Sequence, residues 1–238
     1  MTVLFISDLH LETGHPEPTD RFLRFLENEA RSAESLYILG DLFEAWIGDD
    51  DDDPGLRPIL DALAGLTRAG VACYFMHGNR DFLVGDRFAE RTGCRLLGDY
   101  ASVDLYGQTV LLTHGDLLCT DDTKYLALRA QLRDPAWQRD FLAKPLPERR
   151  AIAEQLRAMS QTEVAAKSEM IMDVNQSTVE QTMRDRNVAM LLHGHTHRPN
   201  VHHFTLAAHP ATRIVLGAWH DTATIVAWTP AGYDLKTI

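Results

Sequence analysis

Five short segments carry the residues whose types could do chemistry, and each segment follows directly after an apolar run. They are Asp8-Leu9-His10, Gly40-Asp41, Gly78-Asn79-Arg80-Asp81, His114-Gly115-Asp116 and Gly194-His195-Thr196-His197. Carboxylate, amide and imidazole donors without a thiolate suit divalent ions such as Mn²⁺, Fe²⁺ or Zn²⁺. The seven candidate ligands, too many for one ion, are Asp8, His10, Asp41, Asn79, His114, His195 and His197. Two ions about 3.5–4 Å apart can activate a water and hold a phosphoryl oxygen, so the pattern favours phosphoryl hydrolysis.

One competing interpretation is that these residues only cap helices and close turns. Asp and Asn do favour the turns that follow strands. The four histidines in the same pattern, at positions 10, 114, 195 and 197, are not explained by turn formation. A second alternative is a vestigial metal site on a binding scaffold, since one fold hosts many functions. The complete set of ligands favours a working site over either alternative.

The apolar runs before the first three segments predict parallel strands. Runs at Val3–Ile6, Leu36–Leu39 and Cys73–Met76 alternate with helical patterns, and residues 56–66 repeat apolar side chains at three-and-four spacing. A repeated strand-helix-strand order predicts a largely parallel sheet covered by helices. Because the carboxyl ends of such strands share one edge, the polar segments should converge there.

The second half of the chain predicts a second sheet and a helical insertion. Residues 103–106 and 109–113 look like a hairpin closed at Gly107-Gln108, and runs at 188–192, 201–206, 213–216 and 224–228 predict further strands. No strand pattern is present between about 120 and 186. We therefore expect a single domain over residues 1–238, with two facing sheets, helices outside, and a helical cap inserted at about 120–175.

Composition limits the functions open to the chain. Its 238 residues suffice for one α/β domain, and the formal net charge of -11 argues against a nucleic-acid partner, which needs a broad basic surface. Three cysteines without paired spacing indicate reduced thiols in the cytosol. No signal peptide is visible, and no apolar run approaches the roughly 20 residues that span a bilayer, so any membrane contact should be peripheral.

The order of the five segments resembles the calcineurin-like metallophosphoesterase superfamily. The shared pattern is Asp-x-His, Gly-Asp, Gly-Asn-x-Asp, His-Gly and Gly-His-x-His, between residues 8 and 197. The resemblance implies a four-layer αββα sandwich with two metal ions. It places the first ion on Asp8, His10, Asp41 and His197. It places the second ion on Asp41, Asn79, His114 and His195, with Asp41 as the bridge.

One position departs from the superfamily pattern. The superfamily usually has a histidine after Gly-Asn, which acts on the leaving group, but Arg80 stands there in this chain. Arginine is not a proton donor at neutral pH, although its planar guanidinium fits two phosphate oxygens. The substrate should therefore have a leaving group that needs charge stabilisation, such as the phosphate monoester released from a pyrophosphate.

Longer stretches resemble one family within the superfamily, the pyrophosphohydrolases that cleave UDP-2,3-diacylglucosamine in lipid A biosynthesis. They lie at residues 7–11, 40–49, 77–83, 171–175, 193–199 and 216–220. The resemblance implies water attack on the α-phosphorus, giving UMP and 2,3-diacylglucosamine 1-phosphate (lipid X), with Mn²⁺ as the metal. It assigns catalysis to Asp41, Asn79, Arg80 and His195. It assigns contacts with the lipid product to Asn79, Arg80, Asp122, Ser160, Lys167 and His195.

A diacyl substrate gives the expected cap a purpose. Each buried CH₂ is worth roughly 0.8 kcal/mol, so the acyl chains should lie in an apolar pocket between cap and sheets. Candidate walls are Trp46, Phe82, Leu83, Trp137, Phe141, Ile152 and Leu156. Eight Lys and Arg against six acids within residues 120–160 could meet substrate phosphate or an anionic membrane. The resemblance thus implies a cytoplasmic protein held peripherally on the inner membrane, with no obligate protein partner evident.

Two alternatives remain open at the level of the sequence. A broad-specificity metal-dependent phosphodiesterase would use the same ligands, and a non-catalytic scaffold of this fold could retain them. The acidic run at Asp49–Asp53 is a separate feature, which we expect to be a solvated loop rather than a cation site.

Overall fold

The structure of the chain, a computed structural model, describes residues 1–166, 173–220 and 222–238. The strands within them are β1 (Val3–Ile6), β2 (Ser35–Ile38), β3 (Ala72–Met76), β4 (Arg95–Leu97), β5 (Tyr100–Leu105), β6 (Gln108–Thr113), β7 (Met190–His193), β8 (Asn200–Leu206), β9 (His209–Val215), β10 (Thr224–Thr229) and β11 (Gly232–Thr237). The α-helices are α1 (Pro16–Glu27), α2 (Arg57–Arg68), α3 (Asp86–Thr92), α4 (Thr123–Leu132), α5 (Pro135–Leu142), α6 (Leu146–Ala166) and α7 (Gln176–Asp185).

These strands form two sheets, with the strand orders β11-β10-β1-β2-β3-β4 and β5-β6-β7-β9-β8. Strands β1 to β4 are parallel in the first sheet, and β6, β7 and β9 are parallel in the second. Antiparallel strands flank both parallel sets. The carboxyl ends of β1, β2 and β3 therefore share one edge, as do those of β6 and β7.

Three apolar clusters define four layers. Between the sheets, Phe5 and Met76 of the first sheet pack with Leu112 and Leu192 of the second, and all four are fully buried. Helices α1 and α2 cover the outer face of the first sheet, and α7 covers that of the second through Val179. Each sheet thus buries both faces, as parallel sheets require. The predicted αββα sandwich is confirmed.

The chain between β6 and β7 forms α4, α5, α6 and α7 and, in its described part, no strand. Asp122, Asp134 and Asn175 accept hydrogen bonds from backbone N–H groups in the first turns of α4, α5 and α7. Such caps satisfy donors that have no partner within the helix. Across the described ranges, none of the helices is long and apolar enough to cross a membrane.

The acidic run at Asp49–Asp53 is a partly solvated loop, as expected from the sequence, with Asp50 and Asp52 exposed, but arginines of α6 pair with it. Arg149 of α6 donates to both carboxylate oxygens of Asp50, at 2.8 and 2.5 Å. Arg150 donates to the next two aspartates at 2.6 and 2.7 Å. The sequence did not predict these ion pairs because the partners lie about 100 residues away in sequence, where no local pattern connects them.

Short or exposed elements escaped the sequence prediction, namely α3, β4 and β11. β4 has only three residues, and β11 contains no fully buried residue and places only Tyr233 and Leu235 against the core, so neither has a strong apolar signal. The hairpin also closes one residue earlier than predicted, because Leu105 pairs with Gln108 and leaves Tyr106-Gly107 as the turn. Both turn residues have positive φ, the conformation that two-residue hairpins favour.

Candidate metal centre

The loops after β1, β2, β3, β6 and β7 meet, and the backbone is strained in those after β1, β2 and β7. Nine non-glycine residues in the described part of the chain have positive φ. Five of them are predicted ligands, with φ between 52° and 67°: Asp8, His10, Asp41, His195 and His197. Such conformations cost about 1–3 kcal/mol each and cluster at functional sites. The other four lie in ordinary turns, so positive φ alone does not mark a site, but its concentration on predicted ligands supports a functional role for these loops.

Two glycines allow the loops to approach one another. A Cβ on Gly78 would fall on the side chain and backbone of Asp41. A Cβ on Gly194 would fall on Ser7 and Asp8. Because any other residue would push apart loops from different strands, glycine is a packing requirement immediately before two of the predicted ligands.

One half of the site joins the β1 loop to the β7 loop. Asp8 is fully buried and accepts hydrogen bonds from Ser7 Oγ at 2.6 Å and from the His195 backbone N–H at 2.9 Å. His197 Nε2 lies 3.4 Å from Asp8 Oδ1 and 3.2 Å from His10 Nε2. A carboxylate oxygen and two imidazole nitrogens thus converge within 4.8 Å of one another, as the ligands of one cation would.

The other half joins the loops after β3, β6 and β7. Asn79 Oδ1 lies 2.9 Å from His114 Nε2 and 2.9 Å from His195 Nδ1. The two imidazole rings cross at 66° with their centroids 5.0 Å apart. An amide oxygen and two ring nitrogens face one point here, an arrangement that suits a second divalent ion.

Asp41 lies between the two halves. Its Oδ2 is 3.9 Å from His10 Nε2 and 3.7 Å from His114 Nε2, while its Oδ1 accepts a hydrogen bond from the Arg80 backbone N–H at 2.8 Å. Asp8 also reaches both halves, since ligand atoms of Asp8, Asp41 and His114 lie within 4.8 Å of one another. All seven predicted ligands are therefore brought together, and the donor set can hold a divalent metal. Which residues bind which ion stays a prediction.

Hydrogen-bond partners fix the direction of two imidazole rings. His114 Nδ1 lies 2.8 Å from the Leu39 carbonyl, which places the proton on Nδ1 and leaves Nε2 for the site. His10 Nδ1 lies 2.7 Å from Glu44 Oε2 in the same way. Glu44 was missed by the sequence analysis, because nothing in the sequence shows that this carboxylate is buried beside a ligand.

Asp81 is a second missed residue, and it ties two ligand loops together. Its fully buried carboxylate accepts hydrogen bonds from the backbone N–H groups of Gly78 and Leu42, both at 2.8 Å. Burial and the charge of Asp41 raise the pKa of Asp81 to about 7. The sequence contains a signal for this residue, because Asp81 is the last position of the Gly-Asn-x-Asp pattern. Spacing alone, however, does not distinguish a residue that positions the loops from a metal ligand.

The electrostatic field of the site favours cations. Although burial opposes it, the hydrogen bond to Glu44 and the charge of Asp41 raise the pKa of His10 to about 9. His195 differs, because burial and the neighbouring His114 lower its pKa to about 4. Carboxylates that draw a proton onto His10 would attract a divalent cation for the same reason. The residues present thus fit a metal centre in charge as well as in geometry.

Two cavities border this centre, and Glu44, Arg80 and Arg157 line both of them. The first, which we call the apolar cavity, lies between loops of the first sheet and helices α4 to α6. Six of the seven expected wall residues line it: Trp46, Phe82, Leu83, Trp137, Phe141 and Leu156. The second, which we call the polar cavity, includes His10 and His197 among its lining residues.

Arg80 lies where the two cavities meet. Its side chain is 22% exposed, and its Nε is buried with no hydrogen-bond partner among the described residues. Glu44 Oε1 lies 3.8 Å from Arg80 Nη1 and balances part of its charge. A buried donor without a partner costs about 1–3 kcal/mol. The guanidinium is therefore suited to an anionic oxygen of a bound molecule.

Comparison with known families agrees with this geometry. The sequence matches the calcineurin-like phosphoesterases over residues 1–199. The chain belongs to this family. Its relatives include proteins named UDP-2,3-diacylglucosamine hydrolase from Klebsiella pneumoniae subsp. pneumoniae (54% identical), Enterobacter sp. (53%) and Salmonella typhi (52%). Each match spans 235 residues, which is 99% of this chain and 98% of the relative.

A solved structure shares the calcineurin-like phosphoesterase fold. The structure of an archaeal phosphodiesterase aligns over 100% of both chains with a TM-score of 0.50 and 13% sequence identity. At that identity the likeness concerns the fold alone. It agrees with the layered arrangement described above and with the fold class predicted from the sequence. The predicted superfamily is confirmed by the family match over residues 1–199.

The predicted product contacts of this calcineurin-like phosphoesterase lie in different places. Asn79 and Arg80 line the apolar cavity beside the metal centre, and Ser160 lines it from α6. Asp122 accepts a hydrogen bond from the Tyr125 backbone N–H as the cap of α4. Lys167 lies outside the described residues. The substrate contacts themselves remain predictions.

A buried carboxylate connects the phosphoesterase centre to α4, and the sequence analysis gave it no role. Asp116, two residues after His114, accepts hydrogen bonds from Tyr125 Oη and Arg129 Nε, both at 2.6 Å. The Tyr125 ring lies 5.9 Å from the His195 ring, measured between centroids. Helix α4 is therefore attached to the half of the site that contains His114 and His195.

Proposed function

We propose that the chain hydrolyses the pyrophosphate bond of UDP-2,3-diacylglucosamine, in lipid A biosynthesis, to UMP and 2,3-diacylglucosamine 1-phosphate (lipid X). The observation that carries the proposal is a metal-ligand cluster that meets an apolar cavity at Arg80. A pyrophosphate that links a nucleotide to a diacyl sugar needs that combination. Relatives that carry the corresponding name at 52–54% identity support the same substrate.

Two Mn²⁺ ions are the proposed cofactor. Asp8, His10, Asp41 and His197 hold one ion. Asp41, Asn79, His114 and His195 hold the other. When bound, the ions activate a water for attack on the α-phosphorus and polarise a phosphoryl oxygen. The donor chemistry, which combines carboxylate and amide oxygens with imidazole and contains no thiolate, supports a divalent ion such as Mn²⁺, Fe²⁺ or Zn²⁺. Manganese is proposed among these because the resemblance to the pyrophosphohydrolases implies it.

The protein's own residues orient the substrate and stabilise its leaving group. The Arg80 guanidinium contacts the phosphate that departs with the acylated sugar, where negative charge increases as the bond breaks. Its role is charge stabilisation, because a guanidinium keeps its proton at neutral pH. Asn79 and His195 contact the phosphoryl group at the metal centre, and Glu44 keeps the His10 ring in its binding orientation.

The apolar cavity takes the acyl chains. Its walls are ordered by aromatic packing, since Trp137 stacks on Phe141 with centroids 5.0 Å apart and Arg133 lies 5.4 Å from the centre of the Phe82 ring. Transfer of acyl CH₂ groups from water to such a cavity gains roughly 0.8 kcal/mol each. Ser160 contacts the lipid product from the cavity wall, and Asp122 and Lys167 complete the proposed contacts.

Helices α4 to α6 act as a cap on a single domain, within the insertion at about 120–175, and dock the protein on the inner membrane from the cytoplasm. Among the side chains that the structure describes, they carry three large apolar ones that are exposed, Leu128 (38% exposed), Leu142 (40%) and Met159 (65%). Leu128 also lines the apolar cavity. Exposed apolar residues beside a cavity with apolar walls suit a protein that takes its substrate from a membrane surface.

Release of UMP from UDP-2,3-diacylglucosamine in mixed micelles tests the proposed function. UMP release by the wild-type protein should require Mn²⁺ and should stop when the metal is chelated. Asp41→Asn should abolish turnover because it removes the carboxylate between the two halves of the centre. Asp61→Asn is the matched control, since the Asp61 side chain is 72% exposed and should leave turnover unchanged. Equal activity of Asp41→Asn and wild type would refute the proposal.

The choice of substrate separates the alternatives. We expect turnover of the diacyl substrate to exceed that of bis(p-nitrophenyl) phosphate, and that of a UDP-sugar without acyl chains, by at least ~100-fold in kcat/KM. Comparable rates on all three would identify a broad-specificity phosphodiesterase. A metal-loaded protein that cleaves none of them would be a non-catalytic scaffold.

A further inference from the structure

The polar cavity has no role in the chemistry described so far beyond the metal ligands at its inner end and the residues it shares with the apolar cavity. It extends from His10 and His197 at the metal centre to the start of α1, where Pro16 and Pro18 line it. Glu12 lies between these two ends. It meets the apolar cavity at Arg80, Glu44 and Arg157. A molecule that spans the metal centre can therefore reach into both cavities at once.

We propose that the polar cavity is the subsite for the nucleoside half of the substrate, with the uracil ring against the start of α1. This inference rests on the proposed function. Water attack on the α-phosphorus places that atom at the metal centre, and one side of it carries the diacyl sugar. The acyl chains occupy the apolar cavity, so the uridine on the other side of the same phosphorus enters the polar cavity, which also borders the metal centre.

Glu12 supplies the polar recognition. Its carboxylate accepts hydrogen bonds from Arg157 at 2.7 and 3.3 Å, and His15 Nδ1 lies 2.8 Å from Glu12 Oε1. These partners compensate its charge and fix its position, so it does not repel the nearby phosphate. A carboxylate has about four acceptor sites, so these three contacts leave one, which a hydroxyl of the ribose can fill.

The start of α1 supplies flat surfaces against which the uracil base can pack. His15 is 74% exposed and precedes Pro16, the first residue of the helix. Proline rings are rigid, so the wall they form loses little entropy when a ligand binds. An uncharged pyrimidine can stack on the imidazole and pack against the prolines, while its polar edge faces the open side of the cavity.

The subsite predicts that UMP binds the Mn²⁺-loaded protein in the absence of lipid. The most direct test is photo-crosslinking with 4-thiouridine 5′-monophosphate, followed by peptide mapping. We expect cross-links within residues 12–18, and we expect excess UMP to suppress them. Cross-links confined to α4, α5 or α6, or none above the level of a non-photolysed sample, would overturn the assignment.

Two variants test the residues named. Glu12→Gln and His15→Ala should each weaken UMP binding, measured by calorimetry with Mn²⁺ present, by ~5–10-fold, and should leave lipid X binding within about twofold. Leu156→Ala, on the apolar cavity, should show the reverse pattern. Glu27→Gln, exposed at the far end of α1, should change neither affinity. Unchanged UMP affinity in both Glu12→Gln and His15→Ala would overturn the subsite.

The proposed function and the subsite fail in different ways. If the wild-type protein releases no UMP from the diacyl substrate, the proposed function fails, and the subsite falls with it. If the wild-type protein does release UMP but the cross-links lie elsewhere and the variants bind UMP normally, the subsite alone is wrong and the function stands.

Discussion

Arg149 of α6 holds Asp50 through two guanidinium nitrogens, one 2.8 Å from Oδ1 and the other 2.5 Å from Oδ2. The same side chain donates to the Ile47 carbonyl at 2.7 Å and is 2% exposed. The loop before Asp50 contributes Trp46 to the apolar cavity, and α6 contributes Leu156. The ion pair therefore fixes the separation of two walls of that cavity without touching the metal centre.

Arg149→Ala should loosen the apolar cavity. We expect KM for the diacyl substrate to rise ~10-fold with kcat within about twofold, because the walls lose their spacing while the ligands stay in place. The free energy of unfolding should fall by about 1–2 kcal/mol, since the lost hydrogen bonds are charged but Asp50 is 47% exposed. Steady-state kinetics and urea unfolding measure the two effects. Arg139→Ala, at a side chain 72% exposed, is the control, and an unchanged KM in Arg149→Ala would contradict this role.

Asp116 should act on the metal through its charge. It is buried two residues from His114, and Arg129 and Tyr125 hold its carboxylate in place. Asp116→Asn should therefore reduce Mn²⁺ affinity by ~10-fold, because it removes a negative charge near the bound cation. Tyr125→Phe removes one donor but keeps that charge, so it should lower unfolding free energy by about 1 kcal/mol with little change in affinity. Equal loss of affinity in the two variants, by calorimetric titration, would argue against a charge effect.

Glu44 should control the orientation of His10. Glu44→Gln keeps the shape of the side chain but weakens its hydrogen bond to His10 Nδ1, which is 2.7 Å long. Loss of such a partner usually lowers metal affinity 10–100-fold, and we expect a fall in that range for Mn²⁺. Glu27→Gln, on the exposed face of α1, should bind Mn²⁺ like the wild type. The assignment fails if the two variants titrate alike.

Mn²⁺ should stabilise the fold as well as enable turnover. Binding to the native state alone adds about 2.7 kcal/mol at a metal concentration 100 times Kd. For a chain of this length, that corresponds to a rise of roughly 5–10 °C in Tm. Thermal unfolding in Mn²⁺ and in EDTA measures the difference, and His114→Ala should reduce it because one half of the site loses a ligand. Identical Tm values in the two conditions would count against a metal centre.

The ligand loops were predictable because each one follows a buried strand. All four residues of β2 are buried, and Asp41 comes three residues after that strand ends, so the apolar run marks both the strand and the edge where the ligand lies. The same holds for β7 and His195. A buried parallel strand has a sequence signature that does not depend on distant contacts. Edge strand β11 lacks such a continuous apolar run, because none of its residues is fully buried.

The partners of charged residues were not predictable in the same way. The basic excess of residues 120–160 was expected to face substrate phosphate or a membrane. Instead, three of these arginines form ion pairs within the protein. Arg129 pairs with Asp116, and Arg149 and Arg150 pair with the acidic run at Asp49–Asp53. The charged residues of a segment predict whether its surface is positive or negative, but they do not predict which other helix or loop packs against it. These ion pairs form only when the fold is complete. Glu44 was missed for the same reason.

Two residues of the cap should affect membrane docking without affecting catalysis. Leu142 and Met159 are 40% and 65% exposed on α5 and α6, and neither lines the apolar cavity. Replacing both by serine should lower co-flotation with vesicles containing anionic lipid by ~10-fold. The variant lacks the two apolar side chains that would insert into the membrane surface. Turnover in detergent micelles should stay within twofold, because the metal centre and both cavities are intact. Ile238→Ser, 38% exposed at the other end of the chain, should bind vesicles normally. If the double variant and Ile238→Ser float equally well, another surface meets the membrane, and the exposed apolar residues of α5 and α6 need a different explanation.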